Sequence, residues 1–458
     1  MRNGSRQKVL FTTYSVNLAT DIRSNLKLIC TPDEFNAIDV INLDKIVSAL
    51  FREKGYADTI WYDGTYEHGE SLDDVWRQAI DAVGSQAPAG LGPSFFKDEW
   101  SQVLVPQQVS SAAQYLHTLR KGRGTRLSRA QKIGVWQVIE AYQRLMRARN
   151  ACDIDMAMQN ALSLLANASE PKRYAHVVVD EGQDFSTPAY RVIRALVSEH
   201  DNDIFIVGDA QQRIYGRRAV LSKCGIRIQG RARKLQINYR TTEEIRAAAD
   251  RIFLSSGPDV AQSVFDAVLN RAAGQESPTL FDDLNGEKTD SNDSRSLING
   301  PVPEARKFAS TSEEMNAVRQ WIFDLCGERS ESASDDESEK IGGADPRNIC
   351  IAVRTNRLVQ QWRQFIEDEL PYGAYALGRG EEDRQKTGIR IATMHRVKGL
   401  EFDYVIVADV TEGICPPKTA LQSVSFDKAA LHELIKQERS LIYVALTRAR
   451  KQALLVGC

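Results

Sequence analysis

The chain has 458 residues, of which 42% are hydrophobic and 26% charged, and its formal net charge is −2. This length suggests two to four domains, and the composition is typical of an ordinary soluble globular protein. The near-neutral charge neither supports nor excludes nucleic acid, so any basic surface has to be local.

Two kinds of location and one kind of site are also disfavoured. No apolar run reaches about 18 residues, which argues against a membrane span, and the N-terminal stretch lacks the features of a signal peptide. The seven cysteines are scattered, form no CxxC pair and do not cluster with histidines. We therefore expect reduced thiols, a cytoplasmic location and no zinc site.

In chain order, the first predicted strand is 8–14, within the first fifteen residues. Apolar residues at i, i+3 and i+4 then predict mostly helical structure over 71–166. Short apolar strands are predicted at 176–180 and 203–208. A strand ending near 237 is expected to be followed by polar, turn-rich sequence.

A second series of strands and helices follows the Ser- and acid-rich tract at 328–345. Its predicted elements are a strand at 348–353, a helix at 355–368, strands at 388–394 and 403–408, a helix at 427–446 and a strand at 451–457. Strands that alternate with helices in two blocks predict an α/β fold with two parallel-sheet domains.

An acid pair follows the apolar run in VVVDEGQDF, residues 177–185. Asp180 suits a hard cation such as Mg²⁺, and Glu181 is placed to polarise a water for attack on a phosphate. The alternative is an acid pair that only caps the next helix, since acids favour helix N-termini.

Four later stretches also place polar or charged residues where a strand or helix ends. In one of them, an arginine can reach a phosphate and a tyrosine can stack on a base. The stretches are DIFIVGDAQQRIYGRR (203–218), KLQINYRTT (234–242), IRIATMHRVKGLEFDYVIVADV (389–410) and ERSLIYVALTRARK (438–451).

Taken in order, these stretches resemble motifs II to VI of superfamily 1 DNA helicases of the UvrD and Rep type, and VLFTTYSVNLATDI at 9–22 resembles motif Ia. The family usually has an alanine in place of Gly182. The resemblance implies two RecA-like domains, the first incomplete, with a helical insertion. The implied boundaries are 1–60 (first domain), 61–170 (insertion), 171–240 (first domain, continued) and 241–458 (second domain, with a polar insertion at about 256–345).

The resemblance also implies the roles of an ATP-dependent helicase that moves 3′ to 5′, with ATP and Mg²⁺ as cofactors. Asp180 would hold Mg²⁺ through water, and Glu181 would be the general base. Gln212 would sense the γ-phosphate, and Arg240 and Arg448 would be arginine fingers. The remaining implied contacts are Tyr239 on adenine and Glu401 on the ribose.

The implied partner is single-stranded DNA, or a duplex with a single-stranded tail. The residues expected along the strand are Thr13, Tyr14, Arg217, Arg218, Thr393 and His395. The family often has an aromatic residue at the position of Arg217, which puts base stacking there in doubt. The basic tract at 120–129 is either a solvated face or a patch that follows phosphates, and the tryptophans between motifs Ia and II are interpreted as core.

One part of the family pattern is absent from the sequence. GxxxxGK[ST], which cradles the phosphates of ATP, occurs nowhere in the 458 residues. Either the chain is a fragment that lacks this segment, which we favour, or it is a natural non-catalytic protein that binds DNA or a partner. A third reading is a nuclease that uses Asp180, Glu181 and Asp184 as metal ligands. A missing phosphate-binding strand would leave a gap, or a forced re-pairing, beside the strand at 203–208.

Overall fold

The computed structural model describes residues 8–62, 69–167, 172–215, 219–269, 280–282, 288–290, 295–327, 343–378, 386–424 and 427–458. The strands are β1 (Lys8–Thr13), β2 (Ile38–Val40), β3 (Thr59–Trp61), β4 (Ala151–Asp153), β5 (Tyr174–Asp180), β6 (Ile204–Ile206), β7 (Ile237–Thr242), β8 (Leu280–Asp282), β9 (Lys288–Asp290), β10 (Arg295–Ile298), β11 (Glu304–Lys307), β12 (Ile349–Val353), β13 (Ala374–Ala376), β14 (Ile389–Thr393), β15 (Phe402–Val407) and β16 (Ala449–Gly457).

The α-helices alternate with these strands in both halves of the chain. They are α1 (Val16–Ile29), α2 (Pro32–Asn36), α3 (Leu43–Glu53), α4 (Leu72–Val83), α5 (Pro93–Asp98), α6 (Ala112–His117), α7 (Arg129–Ala148), α8 (Ile154–Ala166), α9 (Thr187–Leu196), α10 (Glu243–Leu254), α11 (Val260–Leu269), α12 (Thr311–Cys326), α13 (Asn356–Glu369), α14 (Lys418–Val424) and α15 (Lys428–Leu446). Among the described residues, no helix combines the length and the apolar character needed to cross a membrane.

The first sheet is parallel and has the strand order β2-β1-β5-β6. Its core includes Leu10, Val177 and Val179, which are almost fully buried. The apolar run before the acid pair is therefore a parallel strand, as predicted. Because all four strands run the same way, their carboxyl ends meet at one edge, and the end of β5 lies beside the segments that follow β1 and β6.

The prediction of mostly helical structure over 71–166 is confirmed, with the short strand β4 as an interruption. Trp76 stacks on Tyr142 with ring centroids 3.6 Å apart, and Trp100 and Trp136 are also buried. The interpretation of these three tryptophans as core is confirmed. The insertion and the first sheet share one continuous hydrophobic core, so they form one packed body.

The second sheet is also parallel, with the order β11-β16-β15-β12-β14-β13. Four of its strands were predicted, and the short edge strands β11 and β13 were not. Within the stretch interpreted as a polar insertion, α11 and α12 pack into the second domain through residues such as Phe265 and Trp321. That part of 256–345 supplies core as well as connections.

One strand prediction is wrong. The strand expected to end near 237 instead begins there, as β7, and it pairs with β10 and packs against β16. It is not part of the first sheet. Within the described residues, β6 consequently pairs on one side only, with β5. Phe205, in β6, and Val207, just after it, are 65% and 43% exposed. An unpartnered edge at this strand is what the sequence predicted.

The basic tract at 120–129 divides into two parts. Arg120 and Arg123 are drawn inward, with side chains only 9% and 4% exposed, and pair with Glu99 and Asp98. Neither arginine is available to follow DNA phosphates in this arrangement, because both are turned inward and paired with the buried Glu99 or the partly exposed Asp98. The other three basic residues of the tract, Lys121, Arg126 and Arg129, are on the surface.

Candidate functional site

A cavity of about 570 Å³ lies between the two domains. Its walls come from the segment after β6, from β7 and α10, and from the second domain at residue 401 and the end of α15. Five of the residues predicted from sequence line it together: Gln212, Tyr239, Arg240, Glu401 and Arg448. Residues spread over more than 200 positions of the chain thus converge on one cleft.

The acid pair lies in a tight turn at the end of β5. Glu181 adopts a left-handed backbone conformation with φ of 54°, and a short 3₁₀ helix follows over Gly182–Asp184. A Cβ on Gly182 would lie 2.6 Å from Ile206 Cγ2, so this turn has no room for a side chain. The close approach of β6 explains the glycine where the family usually has alanine.

Asp180 and Glu181 are both partly exposed, and the Asp180 carboxylate accepts a hydrogen bond of 2.9 Å from the Glu181 backbone N–H. Burial, and then the neighbouring charge of Glu181, raise the pKa of Asp180 above its usual value. Within the described part of the chain, no group of three or more His, Cys, Asp or Glu side chains could hold a metal. Two carboxylates fit a Mg²⁺ that brings its other ligands as water and phosphate oxygens. They do not form the multi-acid cage that a nuclease reading needs.

Gln212 is held from both domains. Its amide N–H donates to Asp209 at 3.0 Å, and its Oε1 accepts from the Arg448 guanidinium at 3.1 Å. Arg448 is almost fully buried at the end of α15 and also donates to the Val444 carbonyl. Burial lowers its pKa, with the nearby charge of Arg240 acting in the same direction. The described contacts therefore place a buried guanidinium directly against the side chain predicted to sense a phosphate.

Arg240 and Glu401 are paired with each other, with Arg240 Nε 2.6 Å from Glu401 Oε1. Both side chains are more than a third exposed. The ion pair is therefore solvated, and contacts with a ligand can easily replace it. Tyr239 is 69% exposed on the same wall. An exposed aromatic ring beside an exchangeable ion pair suits a flat, polar ligand.

Lys398 lies in the stretch at 389–410 that resembles a helicase motif, but no role was predicted for it from the sequence. It comes from the loop after β14, in the second domain, and all three of its polar partners are in the first. Its ammonium lies 2.6 Å from Asp184 Oδ2 and 3.4 Å from Glu181 Oε2, and it donates to the Gln212 carbonyl at 2.7 Å. The side chain is 8% exposed. Lys398 therefore connects the acid turn to the second domain.

The residues expected along DNA do not behave alike. Tyr14 contacts Tyr215 with centroids 4.8 Å apart, and Tyr215 lies 6.1 Å from the His395 ring, so an aromatic row crosses the domain boundary. Burial, aided by nearby positive charges, lowers the pKa of His395 to about 4. Thr393 is partly exposed at the end of β14, whereas Thr13 is fully buried and cannot meet a strand in this arrangement. Arg217 and Arg218 lie outside the described residues.

Two parallel α/β domains with a polar, arginine-lined cleft between them define the class of a two-domain α/β protein with a candidate ligand site at the domain boundary. Comparison with known families is more specific. A model of the UvrD/REP helicase N-terminal domain matches residues 2–223, and a model of the UvrD-like helicase C-terminal domain matches residues 364–457. The chain belongs to the UvrD/Rep family of helicases.

Similar proteins share about a quarter of their residues with this chain. A probable DNA helicase of Mycoplasma pneumoniae is 24% identical, over 70% of this chain and 51% of its own length. The ATP-dependent DNA helicase UvrD1 of Mycobacterium tuberculosis is 23% identical, over 69% and 60%. For UvrD2 of the same species the values are 24%, 97% and 71%. The chain thus spans roughly half the length of the first of these relatives.

One of the solved structures that are similar to this chain is the C-terminal domain of a possible DNA helicase from Lactobacillus plantarum WCFS1. It covers 48% of this chain and 87% of its own, with 15% identity and a TM-score of 0.28. A score this low adds nothing to the assignment.

Proposed function

We propose that the cleft binds ATP, and that the chain is part of an ATP-dependent DNA helicase or translocase of 3′ to 5′ polarity. The observation that carries this proposal is the convergence of Gln212, Tyr239, Arg240, Glu401 and Arg448 on one cavity. Tyr239 would stack on the adenine and Glu401 would accept from the ribose. Arg240, released from Glu401, would join Arg448 on the γ-phosphate.

Bound ATP would bring Mg²⁺, which would neutralise charge on the phosphates. Asp180 would hold the ion through water, and Glu181 would accept the proton of the attacking water. This role requires Glu181 to leave the 3.4 Å contact with Lys398. A rearrangement of the second domain around the bound nucleotide would supply such a movement.

We further propose that residues 1–458 bind nucleotide but hydrolyse it poorly. The sequence contains no GxxxxGK[ST], and preorganised donors on the β- and γ-phosphates supply most of the catalysis in phosphoryl transfer. The pairing of β6 supports a missing strand, because among the described residues it has β5 on one side and no strand on the other. A strand leading into a phosphate-binding loop would pair with that free side.

Nucleotide binding is tested with a fluorescent ATP analogue and Mg²⁺. Tyr239→Ala is expected to weaken binding about tenfold or more, since stacking on a base contributes about 1–3 kcal/mol. Glu401→Ala should weaken it less. The matched control is Lys451→Ala, whose side chain is 61% exposed and does not line the cavity. Equal affinity for the wild type and Tyr239→Ala would refute the adenine assignment.

Hydrolysis is measured separately, by phosphate release with single-stranded DNA present. We expect no turnover at a helicase-like rate. Turnover of a few per second that Glu181→Gln abolishes would show that residues 1–458 are a complete ATPase, contrary to the proposal.

Single-stranded DNA is the proposed partner, and the aromatic row Tyr14–Tyr215–His395 is its best-supported contact. The proposed location is the cytoplasm. The aromatic row would stack on the bases of the DNA, while cationic side chains would bind its phosphate backbone. The competing function is a non-catalytic module that binds DNA or a partner. The absence of GxxxxGK[ST] from 1–458 favours it, and retained nucleotide affinity would count against it.

A further inference from the structure

The helical insertion contacts the second domain through a small polar junction. The residues that form it are far apart in the chain. Asp427 accepts two hydrogen bonds from Thr125, one from its backbone N–H at 2.9 Å and one from its hydroxyl at 2.7 Å. The hydroxyl of Ser94 also reaches the Ser423 carbonyl, at 3.5 Å. We call Gly124, Thr125 and Asp427 the clasp.

Gly124 shows that the junction is closely fitted. A Cβ at this position would lie 2.2 Å from Asp427 Oδ1 and 3.1 Å from the Ala429 backbone nitrogen. The φ of Gly124 is not in the left-handed region, so the glycine is needed for space and not for its backbone conformation. Any side chain here has to push the second domain away.

The insertion side of the clasp is ordered before it meets its partner. Arg120 makes a bidentate contact with Glu99, and its guanidinium also donates to the Thr125 carbonyl. Arg123 pairs with Asp98, and both arginines lie over the Phe95 ring. A buried arginine in a bidentate pair, as Arg120 is, holds a loop with little residual freedom, so the basic tract shapes the loop that presents Thr125.

On the other side, Asp427 is the N-cap of α15. Its Oδ1 accepts from the Ala429 and Ala430 backbone N–H groups at 2.9 and 3.0 Å, while Oδ2 faces Thr125. Burial opposes ionisation, but the hydrogen bonds hold the pKa of Asp427 below its usual value. α15 has 19 residues, about 28 Å at 1.5 Å per residue. Arg448 follows its far end, in the cleft.

The contact at the clasp is weaker than the hydrophobic packing inside each domain. The insertion shares its hydrophobic core with the first sheet, whereas α15 belongs to the core of the second domain. A change in the angle between the domains therefore leaves the packing within the insertion and around α15 in place but strains the hydrogen bonds of Thr125 with Asp427.

We propose that the clasp is a releasable tether by which the insertion holds the second domain, and that it sets the closed position of α15 and hence of Arg448 in the cleft. Thr125 and Asp427 are positioning residues and touch no ligand. The inference does not depend on the proposed function, because it concerns the protein without nucleotide or DNA.

The test is the distance between the domains in residues 1–458, measured by pulsed electron resonance between spin labels. Labels go on Leu28→Cys and Phe323→Cys, which are 84% and 52% exposed. In this background the exposed or partly exposed cysteines are replaced by serine: Cys30, Cys326 and Cys458. The unmodified clasp should give one narrow distance distribution.

Thr125→Ala removes one hydrogen bond to a charged group, about 1.5–3 kcal/mol, so the ratio of closed to open molecules should fall about tenfold or more. Gly124→Ala should shift the distribution further. Thr125→Ser keeps the hydroxyl and should restore the narrow distribution, which a merely structural effect of the methyl group would not do. Gly92→Ala is the matched control, since nothing lies within 4 Å of a Cβ there.

Unchanged distances in both Thr125→Ala and Gly124→Ala would overturn the proposal. A shift in Gly92→Ala equal to that in Thr125→Ala would also overturn it, because the effect would not be specific to the clasp. If Gly124→Ala does not fold, Thr125→Ala decides alone, because it only removes atoms from a surface loop.

Discussion

Lys398 places a positive charge where three partners of the first domain meet. Its ammonium is 2.6 Å from Asp184, a side chain that is only 1% exposed, and burial raises the pKa of Asp184 to about 6. A buried carboxylate of this kind is tolerable only with a cation beside it. The pair therefore links the acid turn to the second domain more tightly than a surface ion pair would.

We predict that Lys398→Met destabilises the protein by about 3–5 kcal/mol, because it leaves the Asp184 charge buried and unpaired. Adding Asp184→Asn should recover much of the loss. A double-mutant cycle of urea unfolding measures this coupling, expected at about 1–3 kcal/mol. The control pair is Lys451→Met with Asp403→Asn, an ion pair whose lysine is 61% exposed and whose coupling should stay below about 1 kcal/mol. Equal coupling in the two cycles would contradict the assignment.

Single residues show how far sequence reasoning reached. Gln212, Tyr239, Arg240, Glu401 and Arg448 were assigned by resemblance and do share one cavity. Lys398 was missed because its partners are in another domain, and nothing in KGLEF specifies a contact with DEGQD. The burial of Thr13 was not foreseen, because a motif gives the position along a strand but not whether the side chain faces solvent.

At the scale of elements, β6 combines an unpaired side with exposed apolar side chains. Phe205 and Val207 are exposed, and in the described residues β5 is the single neighbour of the strand. Edge strands of this kind template pairing with other chains. Most proteins place a charge or a proline at such an edge, and β6 has neither.

We predict that Phe205→Lys reduces aggregation of residues 1–458 and changes the unfolding free energy by no more than about 0.5 kcal/mol, as for other exposed sites. Static light scattering at increasing concentration measures the first effect and urea titration the second. Leu28→Lys is the control, since Leu28 is also exposed, at 84%, but lies on a helix. A loss of 2 kcal/mol or more in Phe205→Lys would mean that the ring is buried by a segment of this same chain.

Elements with long apolar runs were predicted within one or two residues, as β5, β12 and α15 show. Their burial is dictated by composition alone. β7 was misplaced because INYRTT has no apolar run and takes its strand form from pairing with β10. β11 and β13 are edge strands of three or four residues. They are too short to show the alternation of apolar and polar residues that predicts a strand.

At the scale of the whole molecule, the packing divides the chain into one body made of the first sheet and the insertion and another made of the second sheet and its helices. Leu10 belongs to the first core and Ile351 to the second, and both are fully buried. Polar contacts join the bodies, including the Lys398 pair and the clasp. Contacts of this kind contribute far less to the free energy of unfolding than either core.

We therefore predict two thermal transitions for residues 1–458, with the first body melting at the lower temperature because, in the described residues, β6 is paired on one side only. Differential scanning calorimetry can assign them. Leu10→Ala and Ile351→Ala each delete a buried side chain at a cost of about 2–5 kcal/mol. Leu10→Ala should lower only the earlier transition and Ile351→Ala only the later one. If either variant moves both transitions together, or if a single cooperative transition is seen, the two bodies unfold as one, and the free edge of β6 does not weaken the first body.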